Sequence, residues 1–146
     1  MSYVDKHLMS GEKIIYQTKL NWTEYIKGFV ILILGILFMA GSGTFGGLLI
    51  FGGLFTLGLT YLRISSSEFA VTDKRVLIKV GILKTQSLET MLNKIEGIHV
   101  EQGIIAKMVN SGSIVVKGTG GTNNPFSNID KPFEFRNAVN EQISKL

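Results

Sequence analysis

Residues 28–62 read GFVILILGILFMAGSGTFGGLLIFGGLFTLGLTYL and contain no Asp, Glu, Lys, Arg or His. At about 1.5 Å rise per residue, a straight helix of this length would reach roughly 50 Å, well beyond a hydrocarbon core of roughly 30 Å. The stretch is therefore expected to fold back on itself. Residues 41–44 (GSGT) form helix poorly and lie between two apolar runs. The sequence predicts a membrane-embedded α-helical hairpin over residues 22–62, with helices over about 22–40 and 45–62.

Small residues recur every seven positions in each predicted helix, which places them on one face of that helix. They are Gly28, Gly35 and Ser42 in the first helix and Gly46, Gly53 and Thr60 in the second. Folding the chain about Thr44 would pair Ser42 with Gly46, Gly35 with Gly53 and Gly28 with Thr60. We expect these stripes to form the contact between the helices, because small residues let two backbones approach closely.

Basic and aromatic residues flank the uncharged stretch. Lys19, Lys27 and Arg63 lie beside the two helix ends that meet, whereas the connecting turn carries no charge. The positive-inside rule then predicts a multi-pass protein of the cell membrane with both termini in the cytoplasm. The residues expected at the membrane interface are Trp22, Tyr25, Lys27, Tyr61 and Arg63. The alternative is a secretory signal peptide ending near Ala40, but a long polar segment precedes the first apolar run and a second apolar run follows it.

Composition excludes several classes of function. The 146 residues carry a net charge of +4 and no cysteine, which rules out disulfide scaffolds, thiol catalysis and cysteine-ligated metals. The charge is too diffuse to indicate a nucleic-acid partner. His7 and His99 stand far apart in sequence, and the chain has no HExxH, GxSxG or Walker A motif. We therefore expect no catalysis, no metal and no cofactor.

The chain after Arg63 consists of short runs with β character, separated by turn residues. In the second run Val76, Ile78 and Val80 alternate with Arg75 and Lys79, which predicts one buried and one outward face. Residues 103–109 are expected to form a helical turn or a loop. The predicted strands cover residues 64–71, 75–80, 84–91, 94–102, 113–117 and 126–129.

The chain closes with an apolar pattern at helical spacing. Asp130 is the predicted N-cap of this helix, and Pro132 suits its first turn. Together with the strands, this predicts an α+β domain over residues 63–146, a small antiparallel barrel of about six to seven strands capped by the C-terminal helix. Residues 1–21 form a cytoplasmic segment with a candidate strand at 12–20, which either joins the sheet as an edge strand or lies along the membrane surface.

Five short segments, taken in order, carry a resemblance to a known family. They are SGE at residues 10–12, EFAVTDKRVL at 68–77, NKIEGI at 93–98, QG at 102–103 and GTGGT at 118–122. In this order they resemble the bacterial pleckstrin-homology (PH) domain membrane proteins, which place hydrophobic helices before a PH-like domain. The resemblance implies a PH-like fold at a membrane and says little about biochemical role.

Two functions follow as expectations. The first is a membrane-tethered PH-like scaffold without catalysis, whose partners are the lipid bilayer and other proteins or a second copy of the chain. The second is a sensor of anionic phospholipid headgroups, because the basic residues of the first PH hairpins bind phosphoinositides and the resemblance places Lys74, Arg75, Lys79 and Lys84 on comparable turns and strands. A glycine-rich loop at Gly118, Thr119, Gly120 and Gly121 is a weaker candidate for anion binding, since no helix starts from it.

Overall fold

The computed structural model describes residues 3–82 and 84–146, so the first two residues of the predicted N-terminal segment lie outside the described residues. The helices of the described part are α1 (Tyr3–His7), α2 (Ile26–Phe38), α3 (Gly43–Ser66), α4 (Ile104–Met108) and α5 (Pro132–Ser144), with 3-10 turns at Trp22–Tyr25 and Leu92–Lys94. The strands are β1 (Ile14–Thr18), β2 (Glu68–Thr72), β3 (Arg75–Val80), β4 (Gln86–Met91), β5 (Ile95–Glu101), β6 (Ser111–Gly118) and β7 (Asn123–Asp130).

Helices α2 and α3 form the predicted antiparallel pair, with the break between them where the Gly-Ser-Gly cluster lies. Ser42 is the N-cap of α3, and its hydroxyl accepts a hydrogen bond from the Phe45 N–H at 3.3 Å. At its other end α3 continues through Ser66, so residues 64–66 are helical and not part of the predicted strand. The hydroxyls of Ser65 and Ser67 donate to carbonyls four residues earlier, which satisfies acceptors at this end of the helix.

The glycine stripes lie at the helix contact, but their pairing differs from the prediction. Gly28, Gly35, Gly46 and Gly53 are the buried residues of the two helices. A Cβ on Gly46 would lie 2.6 Å from the Met39 N, and one on Gly53 would lie 2.9 Å from the Leu32 N. Each glycine therefore packs against backbone of the opposite helix about three positions away from its predicted partner. The chain folds back at residues 42–43 and not at Thr44, because α3 already begins at Gly43.

The seven strands form two antiparallel sheets, with strand orders β1-β2-β3-β4 and β5-β6-β7. Thr18 pairs with Phe69, so the segment before the hairpin is the edge strand of the first sheet. A bridge from Leu20 to Ile129 connects this segment to the second sheet as well. The open choice for residues 12–20 is thereby decided, and the folded domain contains residues from both sides of the hairpin.

The main core lies between the two sheets and beneath α5. Phe69 makes edge-to-face contacts with Phe126 and Phe135, at ring-centroid distances of 5.9 and 6.4 Å. Phe135 and Val139 of α5 are fully buried against this core, so the C-terminal helix covers the sandwich as predicted. The N-cap prediction is wrong: Lys131 occupies that position at φ 52°, while the Asp130 carboxylate accepts a hydrogen bond from Asn21 at 2.8 Å.

A second, smaller core explains why β3 does not show the predicted outward face. Val4 of α1 packs with Ala70 and Leu77 on the outer side of the first sheet. The Glu68 carboxylate accepts the N–H groups of Tyr3 and Val4, each at 2.9 Å, and so caps the start of α1. Residues 75–78 are consequently all buried, including Arg75.

Candidate functional site at the base of the hairpin

One end of the sandwich meets the hairpin directly. The chain passes from β1 into the hairpin through residues 19–21, and it passes from α3 into β2 through Ser67 alone. Because Lys79 pairs with Glu68, β3 returns to this same end, and the β3–β4 loop lies beside the hairpin. The β2–β3 turn and the β6–β7 turn lie at the opposite end, roughly 17 Å away for a five-residue strand.

Two adjoining hollows occur where the β3–β4 loop approaches the hairpin, and we call them together the hairpin-base hollow. The first has a volume of about 650 Å³ and the second of about 310 Å³. Arg63 lines both hollows. The other residues are Val80, Gly81, Lys84, Thr85 and Gln86 in the first, and Glu24, Lys27, Thr56, Leu59, Thr60 and Ile82 in the second.

The charge of the hairpin-base hollow is positive. Arg63 and Glu24 form an ion pair at 3.5 Å, and Glu24 also accepts a hydrogen bond from Asn128 at 2.8 Å. Lys27 and Lys84 make no ion pair with the described residues. Three cations therefore line a space that contains one carboxylate, and that carboxylate is already engaged.

The β3–β4 loop needs glycine to reach this position. Gly81 has φ 105°, and a Cβ there would collide with the carbonyl oxygen of Lys84. Only glycine adopts this conformation readily. The resulting turn places Lys84 at the first hollow and Ile82 at the second, which residues of α3 also line.

A model of the bacterial PH domain family matches residues 22–143, which is most of the chain and includes both sheets except β1. The chain belongs to the bacterial PH domain family. A search of curated proteins finds no match to it. In this PH domain, strand β1 and helix α1 precede the first matched residue, yet β1 completes the first sheet and α1 covers its outer side.

The PH domain does not gather the four basic residues singled out in the sequence. Lys74 lies on the β2–β3 turn, far from the hairpin, where its Nζ donates to the Ser10 carbonyl at 3.3 Å. Arg75 is 7% exposed and forms ion pairs with Glu12 and Glu89.

The other two are accessible but separate. Lys79 lies over the Tyr3 ring, with its Nζ 5.2 Å from the ring centroid. Lys84 belongs to the hairpin-base hollow. Its neighbours there, Lys27 and Arg63, were predicted as membrane-interface residues. Their positions flanking the apolar stretch were the one signal in the sequence that could have placed them close together.

The glycine-rich loop of the PH domain is a tight β6–β7 turn. Gly120 and Gly121 have φ near 80°, and β7 already begins at Asn123, earlier than predicted. The N–H groups of Gly118 and Thr119 donate to the carbonyls of Thr122 and Lys94, at 3.0 and 2.9 Å. Two of the four candidate amides are therefore engaged within the protein.

Two polar clusters of the described residues are a surface pair and a buried ion-pair network. His99 lies 3.3 Å from Glu101, and both side chains are more than half exposed on β5. Within residues 3–82 and 84–146, no three His, Asp or Glu side chains are close enough together to hold a metal ion. The most elaborate polar cluster joins Glu12, Thr72 and Arg75, and it is buried.

Proposed function

We propose that this protein is a membrane-tethered PH domain that binds partner proteins at the cytoplasmic face of the cell membrane. The observation that carries the proposal is the way in which the hairpin is joined to the domain. Both arms of the hairpin continue into the first sheet with at most a few residues between them. A domain attached in this way has a defined orientation toward the membrane.

The surface of the hairpin supports its placement in a bilayer. Helix α3 is long and apolar enough to cross a membrane, with a mean hydropathy of 1.7 in a segment that is 11% buried. The two helices bury one glycine face against each other, formed by Gly28, Gly35, Gly46 and Gly53, and expose their large side chains, the reverse of a soluble helix pair. The exposed residues include Phe29, Ile33, Leu37, Leu48, Phe51, Leu54 and Phe55.

The residues at the base of the hairpin support a cytoplasmic domain. Trp22 and Tyr61 are 59% and 62% exposed, and Lys27 and Arg63 lie at the same level. Tryptophan and tyrosine are enriched at membrane–water interfaces, and lysine and arginine are enriched on the cytoplasmic side. The turn at residues 41–44 carries no charge that would oppose crossing.

Strand β4 is the surface best suited to a protein partner. It is the last strand of the first sheet, so one of its edges has no neighbouring strand among the described residues. Gln86, Ser87 and Glu89 are exposed along it. An extended segment of a partner, including β4 of a second copy, could add to this edge through backbone hydrogen bonds.

Site-specific crosslinking tests this function, because the chain has no native cysteine. Ser87→Cys on β4, labelled with a photoreactive benzophenone in intact membranes, is expected to form an adduct of discrete higher mass. Lys117→Cys is the matched control, since Lys117 is equally exposed but lies on the central strand of the second sheet. Equal yields of protein adducts from the two positions would contradict docking at β4.

The hairpin-base hollow favours a second candidate function, the recognition of an anionic phospholipid headgroup. Arg63, Lys27 and Lys84 line a concave space at the level where headgroups of the surrounding bilayer would lie. Each basic residue near an anionic membrane surface contributes about 1 kcal/mol, roughly a fivefold change in affinity. Such a site would select lipids around the tether and would not itself anchor the protein.

Native mass spectrometry of the full-length protein in mild detergent distinguishes this candidate. Lys84→Gln is expected to reduce the retained phosphatidylglycerol about fivefold. Lys117→Gln should change nothing, because Lys117 lies at the end of β6 far from the hairpin. Equal lipid retention in wild type and Lys84→Gln would rule out the hollow as a headgroup site.

A further inference from the structure

Helix α4 carries the three most exposed large apolar side chains of the described residues. Ile104, Ile105 and Met108 are 83%, 72% and 81% exposed, compared with 71% for Phe51, the most exposed side chain of the hairpin. Three such residues in a five-residue helix form an apolar patch that water covers poorly. None of them belongs to the two core clusters, so all three are available for contact with something other than the described core.

The position of α4 is set by the entry to the hairpin. Asn21 is 1% exposed, and its Nδ2 donates to the Val109 carbonyl, directly after α4, at 3.3 Å. The Asn21 Oδ1 accepts the Thr23 N–H at 3.0 Å, within the 3-10 turn that starts α2. One buried side chain therefore links the end of α4 to the first turn of the hairpin.

The hydrogen bond to Val109 limits how far α4 can lie from the start of the hairpin. A five-residue helix is about 7.5 Å long, so the backbone of α4 lies within roughly 12 Å of the Asn21 side chain. Trp22 follows Asn21 in the chain and is itself exposed. Amphipathic segments in membrane interfaces bury their apolar side roughly 5 to 10 Å into the boundary between headgroups and acyl chains.

Charge around the patch agrees with an anionic lipid surface. Lys107 lies within α4, and the Lys131 N–H donates to the Asn110 carbonyl beside it at 2.9 Å. Both lysines are exposed. Three acidic residues lie nearby: Asp130 accepts from Asn21, Glu101 lies 3.3 Å from His99, and Glu134, in the first turn of α5, accepts from the Tyr16 hydroxyl.

The start of α5 adds to the same surface. Phe133 is 38% exposed, and the Arg136 guanidinium lies over its ring, 4.7 Å from the centroid. The residue before Phe133, Pro132, packs near Gly112 at the start of β6, next to the end of α4. Apolar side chains with lysine and arginine at their margin are typical of surfaces that lie in a membrane interface.

We propose that α4 is a third membrane contact, with Ile104, Ile105 and Met108 inserted into the same leaflet that the hairpin enters. This inference rests on the proposed membrane tether. The occupant of the patch is the lipid bilayer, because the patch is continuous with the interfacial end of the hairpin and has basic residues at its edge. This contact adds to the two chain connections at the base of the hairpin. The domain then cannot rotate freely above the membrane, and β4 stays at a defined distance from the membrane surface.

Depth-dependent quenching tests the inference in the full-length protein reconstituted in vesicles of phosphatidylglycerol and phosphatidylcholine. Ile105→Cys carries an environment-sensitive NBD fluorophore, and the mutated side chain is exposed, so no core contact is lost. Nitroxide lipids labelled near the headgroup are expected to quench this probe several-fold more than the same probe at Thr119→Cys, on the far β6–β7 turn. Its emission should also shift to the blue.

A third probe at Phe51→Cys, within α3, is read with lipids that carry the nitroxide deep in the acyl chain, and it separates the failure of this inference from failure of the tether. Quenching at position 51 without quenching at 105 would overturn the insertion of α4 and leave the tether standing. No quenching at either position would overturn both. An Ile105 probe protected from aqueous iodide but not quenched by nitroxide lipid would show a protein covering α4, and would also overturn the proposal.

Discussion

Replacing Glu12 by glutamine is expected to loosen the first sheet, because this carboxylate holds together parts of the chain on opposite sides of the hairpin. The side chains of Glu12 and of its partner Arg75 are 0% and 9% exposed. Oε1 accepts from the Thr72 hydroxyl at 2.6 Å and from Arg75 Nε at 3.0 Å. Oε2 accepts from the Met9 N–H at 2.7 Å and from Arg75 Nη2 at 3.1 Å.

The magnitude follows from these contacts. In Glu12→Gln an NH₂ group replaces one of the two carboxylate oxygens. In place of Oε1 it faces the donors of Thr72 and Arg75, and in place of Oε2 it faces those of Met9 and Arg75. The new NH₂ group faces donors, and the buried guanidinium loses its charged partner at position 12, keeping one hydrogen bond to the remaining amide oxygen besides Glu89 and the His7 carbonyl. Removing one partner of a buried ion pair costs about 3 to 5 kcal/mol. About 3 kcal/mol corresponds to a roughly 100-fold change in an opening equilibrium.

Hydrogen–deuterium exchange of the reconstituted protein measures this effect locally. Peptides covering β1, β2 and β3 should exchange about 100-fold faster in Glu12→Gln than in wild type. The control is Glu141→Gln, which breaks the ion pair between Glu141 and Lys145. Both of these side chains are more than 60% exposed. Such surface pairs contribute at most about 0.5 kcal/mol.

Equal amide exchange rates for Glu12→Gln and Glu141→Gln in these strands would refute the role of the buried ion pair. A second variant keeps the argument specific to the ion pair. Replacing both Glu12 and Arg75 by methionine removes both charges, and exchange should then return toward the wild-type rate. A double variant as labile as Glu12→Gln would mean that packing, and not the unpaired charge, is responsible.

Three further outcomes are expected. Gly46→Ala should lower the melting temperature of the hairpin in detergent, because its Cβ would meet backbone atoms of Met39. Gly47→Ala, whose Cβ meets nothing, should stabilise the folded hairpin by about 0.5 to 1 kcal/mol. Equal melting temperatures for the two variants, measured by circular dichroism, would contradict this packing. Burial raises the pKa of Glu12, but hydrogen bonds from Arg75, Met9 and Thr72 outweigh it, so the pKa is lowered. That stabilisation is complete above the ordinary carboxyl pKa of about 4.3 and disappears as the pH falls through the lowered value, so acid unfolding should be less pH-dependent in Glu12→Gln. Asn21→Ala should release α4, seen as faster exchange over residues 104–110 with β4 unchanged.

Much of the architecture could be predicted because it depends on the charge and spacing of residues that are close together in the sequence. The absence of charge and the GSGT break define two helices, and seven-residue spacing places Gly28, Gly35, Gly46 and Gly53 on one face. The pairing of those glycines could not be predicted, since it depends on where the turn starts. The turn could be centred at any of residues 41–44, because none of them favours a helix. A shift of the turn by one or two residues changes every contact between the two helices.

The candidate site was predicted less well, for a similar reason. Lys74, Arg75, Lys79 and Lys84 look alike in sequence, but β3 carries the chain from one end of the sandwich to the other between them. Lys74 therefore lies far from the hairpin and Lys84 beside it. Arg75 is buried because Glu12, more than sixty positions earlier, covers it.

The sequence alone determined that this chain has an apolar hairpin with small-residue faces, a set of short strands and a closing helix, since each of these is a periodicity of neighbouring residues. Only the tertiary structure decided that strand β1, which precedes the hairpin, pairs with β2, which follows it. It also decided that Arg63, Lys27 and Lys84 line the hairpin-base hollow and that Asn21 places α4 beside the hairpin. Those contacts join residues distant in sequence. They depend on how the two sheets pack around a common core, which no local spacing encodes.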